Sequence, residues 1–224
     1  MAIAAGLSSG RARHFPGHDC PRCPRLAAFR KENRRLWPDW HNAPVDSFGD
    51  LQAQLLVVGL APGLRGANRT GRPFTGDYAG DLLYATLASH GFASGTYDAR
   101  PDDGLVLTGA RITNAVRCLP PENRPVGAEV TACRPFLAAE LAALPRLRAV
   151  LALGTVAHGA VLAALGLRKS AYPFAHGAHH DLPDGRRLFD SYHCSRYNTN
   201  TGRLTEAMFH AVAAEIRRHL DYRG

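Results

Sequence analysis

Short apolar runs alternate with amphipathic segments along most of this chain. Four runs are rich in aliphatic residues and end at glycine or polar residues: 54–59, 110–116, 148–153 and 187–192. Apolar runs of this length are typical of strands buried on both faces of a parallel sheet. Helical periodicity follows each run, over residues 81–90, 128–144, 155–164 and 204–220. The pattern predicts one α/β domain of three layers (α/β/α), with a central, mostly parallel, four-stranded sheet.

The segments outside this alternation differ in character. Residues 1–14 are small, polar and basic, which predicts a flexible N-terminal tail ahead of one folded domain over residues 15–224. In residues 20–37 the apolar side chains of Leu26, Phe29 and Leu36 are separated by charges, so we expect an amphipathic helix with a basic face.

The longest interruption is the loop after the first strand, within LLVVGLAPGLRGANRTGRPFTGDYAG at residues 55–80. A strand-to-helix connection usually takes roughly 2–6 residues, and this one is far longer. Its glycines allow close approach of the backbone, Pro62 and Pro73 stiffen it, and Phe74 stands as an aromatic among small and polar residues. Open α/β sheets bind ligands at the carboxyl ends of their strands, so we expect the loops after the first, second and fourth strands to form a functional site.

Charge narrows the class of partner. The formal net charge is +8 and arginine supplies nearly all of the positive charge. Because arginine offers two parallel donors to phosphate oxygens, this favours a nucleic acid over a merely basic surface. The chain has neither an apolar run of roughly 18 residues nor a secretory leader pattern, so we expect a cytoplasmic protein without a membrane partner.

Five cysteines need an explanation other than disulfides, which are rare inside cells. Cys20 and Cys23 are separated by two residues, and Cys118 and Cys133 by fourteen. These four could form a shell of thiolates for zinc or for an iron–sulfur cluster, or they could be unrelated buried side chains, and spacing alone does not choose. Cys194 follows a histidine, but neighbouring residues of an extended loop point apart, which disfavours a Cys/His nucleophile.

Four pieces of sequence carry a resemblance to a known family. They are GLAPGLRGANRTGRPFTGD at 59–77, ITNAVRC at 112–118, the four-cysteine spacing with RCLPPENRP, and HCSRYNTNTGRLT at 193–205. In this order they resemble the uracil-DNA glycosylase superfamily, and within its iron–sulfur branch the type b, or family 5, enzymes. The resemblance covers nearly the whole chain from Cys20 onward. It implies a structural 4Fe-4S cluster, rather than zinc, held by Cys20, Cys23, Cys118 and Cys133.

The same resemblance implies an enzyme that flips a base out of double-stranded DNA and hydrolyses its N-glycosidic bond. Phe74 would stack on the base, Asn114 would bind its edge, and His193 would donate a hydrogen bond to the base oxygen as negative charge develops. The structural alternatives are that Phe74 is a core ring, that Asn114 caps the end of its strand, and that His193 is a hydrogen-bonded loop histidine. The other base- or DNA-binding candidates are Gly59, Leu60, Ala61, Pro62, Gly63, Ser195 and Asn198, and the candidates for a wedge into the helix are Arg196, Tyr197 and Asn198.

The sequence departs from the superfamily at the residues that activate water. Ala61 stands where the uracil-specific branch has an aspartate, and Leu60 stands where family 4 relatives have an acidic residue. Asp77 is the closest remaining carboxylate of the motif, so we expect it to orient or polarise the water, with a helix N-cap as the alternative. Cys194 replaces a proline that usually follows the histidine, which leaves the stiffness of that loop open.

A pocket without that acidic group, lined by small residues, should be roomier and less selective. The resemblance likewise implies action on uracil and on hypoxanthine, xanthine and ethenocytosine, which leaves an abasic site. Lys31 and Lys169 both look exposed, so we expect a monofunctional enzyme of base excision repair without strand cleavage. A monomer is the usual state of a glycosylase and is expected here. The alternative function is a non-catalytic iron–sulfur or zinc module that binds damaged or structured nucleic acid. The absence of a G-K-[ST] ending argues against a nucleotide-phosphate enzyme.

Overall fold

A computed structural model describes residues 15–222 of the chain, and the predicted tail over residues 1–14 lies outside this range. The α-helices are α1 Pro24–Leu36, α2 Ala67–Thr70, α3 Tyr78–Ser89, α4 Gly127–Ala142, α5 Thr155–Ala164, α6 Arg196–Asn200 and α7 Glu206–Asp221. The strands are β1 Phe48–Gly49, β2 Leu55–Gly59, β3 Ala93–Ser94, β4 Val106–Leu107, β5 Ala110–Asn114, β6 Ala149–Leu153, β7 His179–Asp181 and β8 Arg187–Ser191. None of the described helices combines the length and apolar character needed to cross a membrane.

The central sheet has six strands in the order β1-β5-β2-β6-β8-β7. Its four inner strands are the four predicted ones and run parallel, which confirms the predicted fold class. The short strands β1 and β7 pair antiparallel at the two edges and widen the sheet beyond the four strands expected. They were missed because strands of two and three residues in turn-rich or polar segments carry no apolar run. A separate ribbon pairs β3 with β4.

Helices cover both faces of the sheet, as three layers require. Along β2, Leu55 and Val57 belong to the core beneath α3 and α7, whereas Leu56 and Val58 belong to the core beneath α4 and α5. Successive strand residues point to opposite faces, so one continuous apolar run fills both cores.

Arg72 anchors the long loop after β2. Its two terminal nitrogens donate to the carboxylate oxygens of Asp103 at 2.8 and 2.7 Å, and its Nε donates to Thr75 Oγ1 at 2.7 Å. The guanidinium also lies 5.5 Å from the ring centre of Tyr84 and 5.8 Å from that of Tyr97. Both charged side chains are buried, and the bidentate bond to Arg72 holds the pKa of Asp103 well below its usual range. These contacts fix the backbone on both sides of Phe74.

We expect Asp103→Ala to lower the free energy of unfolding by about 3 kcal/mol, because it leaves the buried charge of Arg72 without a partner. Since the pKa of Asp103 is depressed on folding, its contribution is complete above the ordinary carboxyl pKa and is lost only as the pH falls towards the depressed value. Urea unfolding measures the change. Asp102→Ala, at the exposed neighbouring position, is the matched control and should change stability by less than about 0.5 kcal/mol. Equal losses in the two variants would contradict this anchoring.

Candidate functional site

An open cavity of about 950 Å³ lies at the carboxyl ends of β2, β5, β6 and β8. Its size is within the range of small-molecule sites, roughly 300–1,000 Å³. Phe74 and Asp77 enter it from the loop after β2, Asn114 from the end of β5, and His193 from the loop after β8. The three loops therefore meet in one hollow, as the alternation of strands and helices predicted.

Most of the other candidates also line this cavity, namely Leu60, Ala61, Pro62, Gly63 and Ser195. Gly59 lies directly behind it. A Cβ atom at Gly59 would fall 2.4 Å from Asn114 Oδ1 and 2.5 Å from Phe74 Cζ, so only glycine lets the amide and the ring approach this strand. Asn198 does not line the cavity, and its Nδ2 instead donates to the backbone oxygen of His193 at 2.8 Å.

Phe74 holds its ring against the cavity in a strained backbone conformation. Its φ is +53°, a left-handed value that non-glycine residues rarely adopt. The ring is 7% exposed and its centre lies 5.9 Å from that of His193, with the planes 26° apart. The Tyr97 hydroxyl donates to the Phe74 carbonyl at 3.2 Å, and a Cβ at Gly80 would clash with that carbonyl. The surroundings thus impose the strain and leave an aromatic surface beside the cavity.

Asn114 offers an unpaired polar group. It ends β5, lies opposite Gly59 in the register of the parallel pair, and is 4% exposed. Its Oδ1 is buried and has no hydrogen-bond partner among the described residues. Leaving such an atom unpaired costs about 1–3 kcal/mol. An unpaired buried oxygen is therefore typical of a position where a ligand supplies the missing hydrogen bond. The strand-end cap proposed as the alternative is not formed by this oxygen.

Asp77 occupies the N-cap position of α3, but its side chain makes no capping hydrogen bond. Its Oδ1 is buried and has no hydrogen-bond partner among the described residues. Its Oδ2 lies close to Gly63, where an added Cβ atom would be only 2.9 Å from it. Burial raises the pKa of Asp77 above its ordinary value. The cavity is therefore lined by a carboxyl group with one oxygen unpaired among the described residues.

His193 is electrically neutral near pH 7. His193 is half-buried by accessible surface, and desolvation at the cavity wall lowers its pKa to about 4; no charge or hydrogen bond from the described residues contributes to the shift. A neutral imidazole has one N–H donor and one acceptor nitrogen. Its neighbour Cys194 is fully buried, and the Cys194 thiol donates to the Ala79 carbonyl at 3.4 Å. Cys194 does not line the cavity, in agreement with the sequence argument against a nucleophile.

The sequence analysis did not single out Arg65 or Arg124 at the mouth of the cavity, and it named Arg196 only as a candidate wedge. All three arginines are exposed there; Arg65 and Arg124 come from loops, and Arg196 is the first residue of α6. The Arg196 guanidinium lies 5.3 Å from the ring centre of Tyr78, another lining residue. Arg65 and Arg124 both fall inside motifs quoted for the family resemblance. Their positive charge within those motifs could have identified them as phosphate-binding candidates.

Comparison with known proteins identifies the family. The uracil DNA glycosylase superfamily model matches residues 47–217. The chain belongs to the uracil DNA glycosylase superfamily. A type-5 uracil-DNA glycosylase of Thermus thermophilus is 50% identical over 205 residues, which cover 89% of this chain and 93% of that protein. A type-5 enzyme of Pyrobaculum aerophilum is 45% identical over 84% of this chain and 83% of its own length. A type-4 enzyme of the same organism is 34% identical over 67% of this chain and 63% of its own length. The predicted family is confirmed, and the similarity to these type-5 proteins extends further along the chain.

In this member of the superfamily, the four predicted cysteines line one small hollow beside α1: Cys20, Cys23, Cys118 and Cys133. All four are free thiols. Two N–H groups point at the sulfurs, because Arg30 Nη1 donates to Cys118 Sγ at 3.6 Å and the Arg117 amide donates to Cys133 Sγ at 3.4 Å. Burial raises the pKa of Cys118 to about 12.

The separation of these thiols bears on the kind of metal group they could hold. Within residues 15–222, no three His, Cys, Asp or Glu side chains lie close enough together to hold a single metal ion. A tetrahedral zinc would need sulfurs about 2.3 Å from one point. The same finding applies to an iron–sulfur cluster, whose four thiolates also have to converge on one group.

We expect the imidazole of His193 to titrate with a midpoint near pH 4 in the folded protein, measured by NMR of its ring resonances. In the urea-unfolded chain the same histidine should titrate near the ordinary value of about 6.5. Because folding depresses this pKa, the stability it contributes is complete above the unfolded value and is lost as the pH falls towards 4. A folded midpoint near 6.5 would show that the ring is not buried as described.

Proposed function

We propose that this chain removes uracil from DNA by hydrolysing the N-glycosyl bond, the first step of base excision repair, and leaves an abasic site. Membership of the superfamily supports the reaction class, hydrolysis of N-glycosyl bonds. The observation that carries the proposal is the convergence of Phe74, Asn114 and His193 on one cavity. An aromatic face, an unpaired amide and a neutral imidazole are the groups needed to hold an everted base and stabilise its departure.

The three side chains would act on different parts of the base. Phe74 presents a ring for stacking, which is worth on the order of 1–3 kcal/mol per base. The amide of Asn114 would pair with the donor and acceptor groups on the base edge, which satisfies its unpaired oxygen. His193 would donate its N–H to the base oxygen that becomes negative as the glycosidic bond breaks. A donor aimed at developing charge stabilises the transition state more than the bound substrate.

Asp77 would orient the attacking water. Leu60 and Ala61 line the same wall but carry no polar side-chain atom, so neither can take this role. The unpaired Oδ1 of Asp77 would accept a hydrogen bond from water, in competition with the backbone N–H groups of Ala79 and Gly80 that face the carboxylate. Because the sugar becomes cation-like as the base leaves, a well-stabilised leaving anion reduces the activation that the water needs.

We further propose that the substrate range includes hypoxanthine, xanthine and ethenocytosine. The cavity is large, and the small residues Ala61 and Gly63 line it beside the position of the base. A pocket that is wide rather than filled discriminates weakly against bulkier bases. A panel of duplexes that each carry one lesion would rank these substrates.

The mouth of the cavity suits double-stranded DNA. Arg65, Arg124 and Arg196 supply exposed positive charge for phosphates. Of the candidates for the wedge, Asn198 is bonded to the loop and Arg196 lies over Tyr78, whereas Tyr197 is 73% exposed. We therefore propose Tyr197 as the residue that fills the space left by the flipped base.

We propose a 4Fe-4S cluster held by Cys20, Cys23, Cys118 and Cys133, with a structural role. The shared hollow and the two N–H donors to sulfur support it. A bound cluster would cross-link α1 to the segment between β5 and α4, and that segment reaches the cavity mouth at Arg124.

The two lysines argue for a monofunctional enzyme. Lys31 and Lys169 are exposed and neither lines the cavity. Strand cleavage by a glycosylase needs an amine that forms a Schiff base with the sugar. We therefore propose that the product keeps an intact backbone.

The decisive experiment is release of free uracil from a duplex oligonucleotide. We expect release by the wild type without strand breaks, and we expect His193→Ala and Asn114→Ala each to slow it by about 10²–10³-fold. Asn200→Ala removes an exposed asparagine outside the cavity and should be as active as the wild type. Binding of lesion-containing duplexes without release would favour the non-catalytic module instead. Full activity in both cavity variants would reject the assigned roles.

Metal analysis tests the cluster. We expect iron and acid-labile sulfide in anaerobically purified protein, with broad visible absorbance, and we expect Cys118→Ser to lose both. Cys194→Ser is the matched control, because Cys194 lies outside the hollow, and it should keep its iron. A colourless protein that contains zinc would contradict the proposal.

A further inference from the structure

We propose that Asn198 is a positioning residue that fixes His193 from behind the cavity. The inference rests on the proposed role of His193 in stabilising the departing base. It assigns Asn198 a role different from the direct contact with base or DNA that the sequence suggested, because its side chain points into its own loop.

The His193 ring depends on its backbone for its position. Burial alone accounts for its lowered pKa, with no hydrogen bond from the described residues contributing. The neighbouring ring of Phe74 lies nearly parallel at 5.9 Å, a contact that leaves sliding and rotation possible. A donor must lie within hydrogen-bond distance of the developing charge, and a displacement of about 1 Å can cost on the order of 10²-fold in rate.

Asn198 connects the histidine to the core through three hydrogen bonds. Its Nδ2 donates to the His193 carbonyl at 2.8 Å, and its amide donates to Ser195 Oγ at 3.5 Å. Its own carbonyl accepts from the Leu204 amide at 3.0 Å. Leu204 is fully buried beneath α7, so the loop that carries His193 is tied to a fixed point.

The other side of this loop is held by its neighbour. The Cys194 thiol donates to the carbonyl of Ala79, in the first turn of α3 directly after Asp77 and Tyr78. The backbone of His193 is thereby held between α3 and α6. Of these two anchoring side chains, Asn198 is half-buried and Cys194 is fully buried. Asn198 can therefore be replaced without disturbing the buried core.

The test compares Asn198→Ala with Asn200→Ala, which removes the same side chain from the same helix at an exposed position. We expect Asn198→Ala to lower the single-turnover rate of uracil release on the order of 10- to 10²-fold, with affinity for uracil-containing duplex unchanged within about threefold. Release of 5-fluorouracil should fall less, since a more acidic base needs less help from His193 to depart. Asn200→Ala should match the wild type in all three measurements.

A double-mutant cycle separates positioning from a general loss of structure. If Asn198 acts through His193, adding Asn198→Ala to His193→Ala should cause less than about a twofold further loss. A full additional loss, or equal losses for uracil and 5-fluorouracil, would overturn the inference. Asn198→Leu keeps the approximate shape without the donor and should behave like Asn198→Ala; wild-type rates in it would also overturn the inference.

Hydrogen exchange distinguishes failure of this inference from failure of the proposed function. Amides of residues 192–199 should exchange faster in Asn198→Ala than in Asn200→Ala, whatever the reaction of the enzyme. Unchanged exchange would refute the positioning role of Asn198 and leave the glycosylase proposal standing. If Asn198→Ala exchanges faster but the wild-type enzyme releases no uracil, the positioning role of Asn198 is supported and the proposed function is rejected.

Discussion

The close approach of Asn114 and Phe74 to the backbone of Gly59 determines the shape of the cavity. Parallel pairing places Gly59 opposite Asn114 in the sheet, and a side chain at this glycine would overlap both the amide and the ring. Phe74 takes a left-handed backbone conformation, and the buried pair of Arg72 and Asp103 fixes the loop around it. Strand register, loop strain and a buried ion pair thus act together to present two functional side chains.

The cavity combines rigidity with unpaired polar groups. Asn114 Oδ1 and Asp77 Oδ1 are buried without partners among the described residues, and His193 is kept neutral by burial. Each of these features opposes folding, because desolvated polar groups lose their hydration without replacement. The fold tolerates them because the sheet beneath the cavity is buried on both faces. Once a molecule fills the cavity and displaces its water, each electrostatic contact with that molecule becomes stronger.

The sequence was sufficient to predict the features that depend on the periodicity of apolar residues or on the spacing of motifs. The four inner strands and the meeting of three loops follow from apolar runs and motif positions, whereas spacing alone left the four cysteines open between a metal site and unrelated side chains. The edge strands were missed because they are too short to carry a pattern. The inward direction of Asn198 and the left-handed φ of Phe74 could not be predicted, since neither loop side-chain direction nor strain at a non-glycine residue has a sequence period.

The position of the cysteine hollow explains why a purely structural group would be useful here. The segment between β5 and α4 reaches the cavity mouth through Glu122, Asn123 and Arg124, which are all exposed. Two of them adopt left-handed conformations, and exposed residues bury too little apolar surface to offset the loss of backbone entropy. Order must come from the residues on either side, where Cys118, near the start of the segment, and Cys133, within α4, face the hollow. The carbonyl of Arg124 also accepts a hydrogen bond from Arg25 of α1, so α1 braces the loop at the cavity mouth.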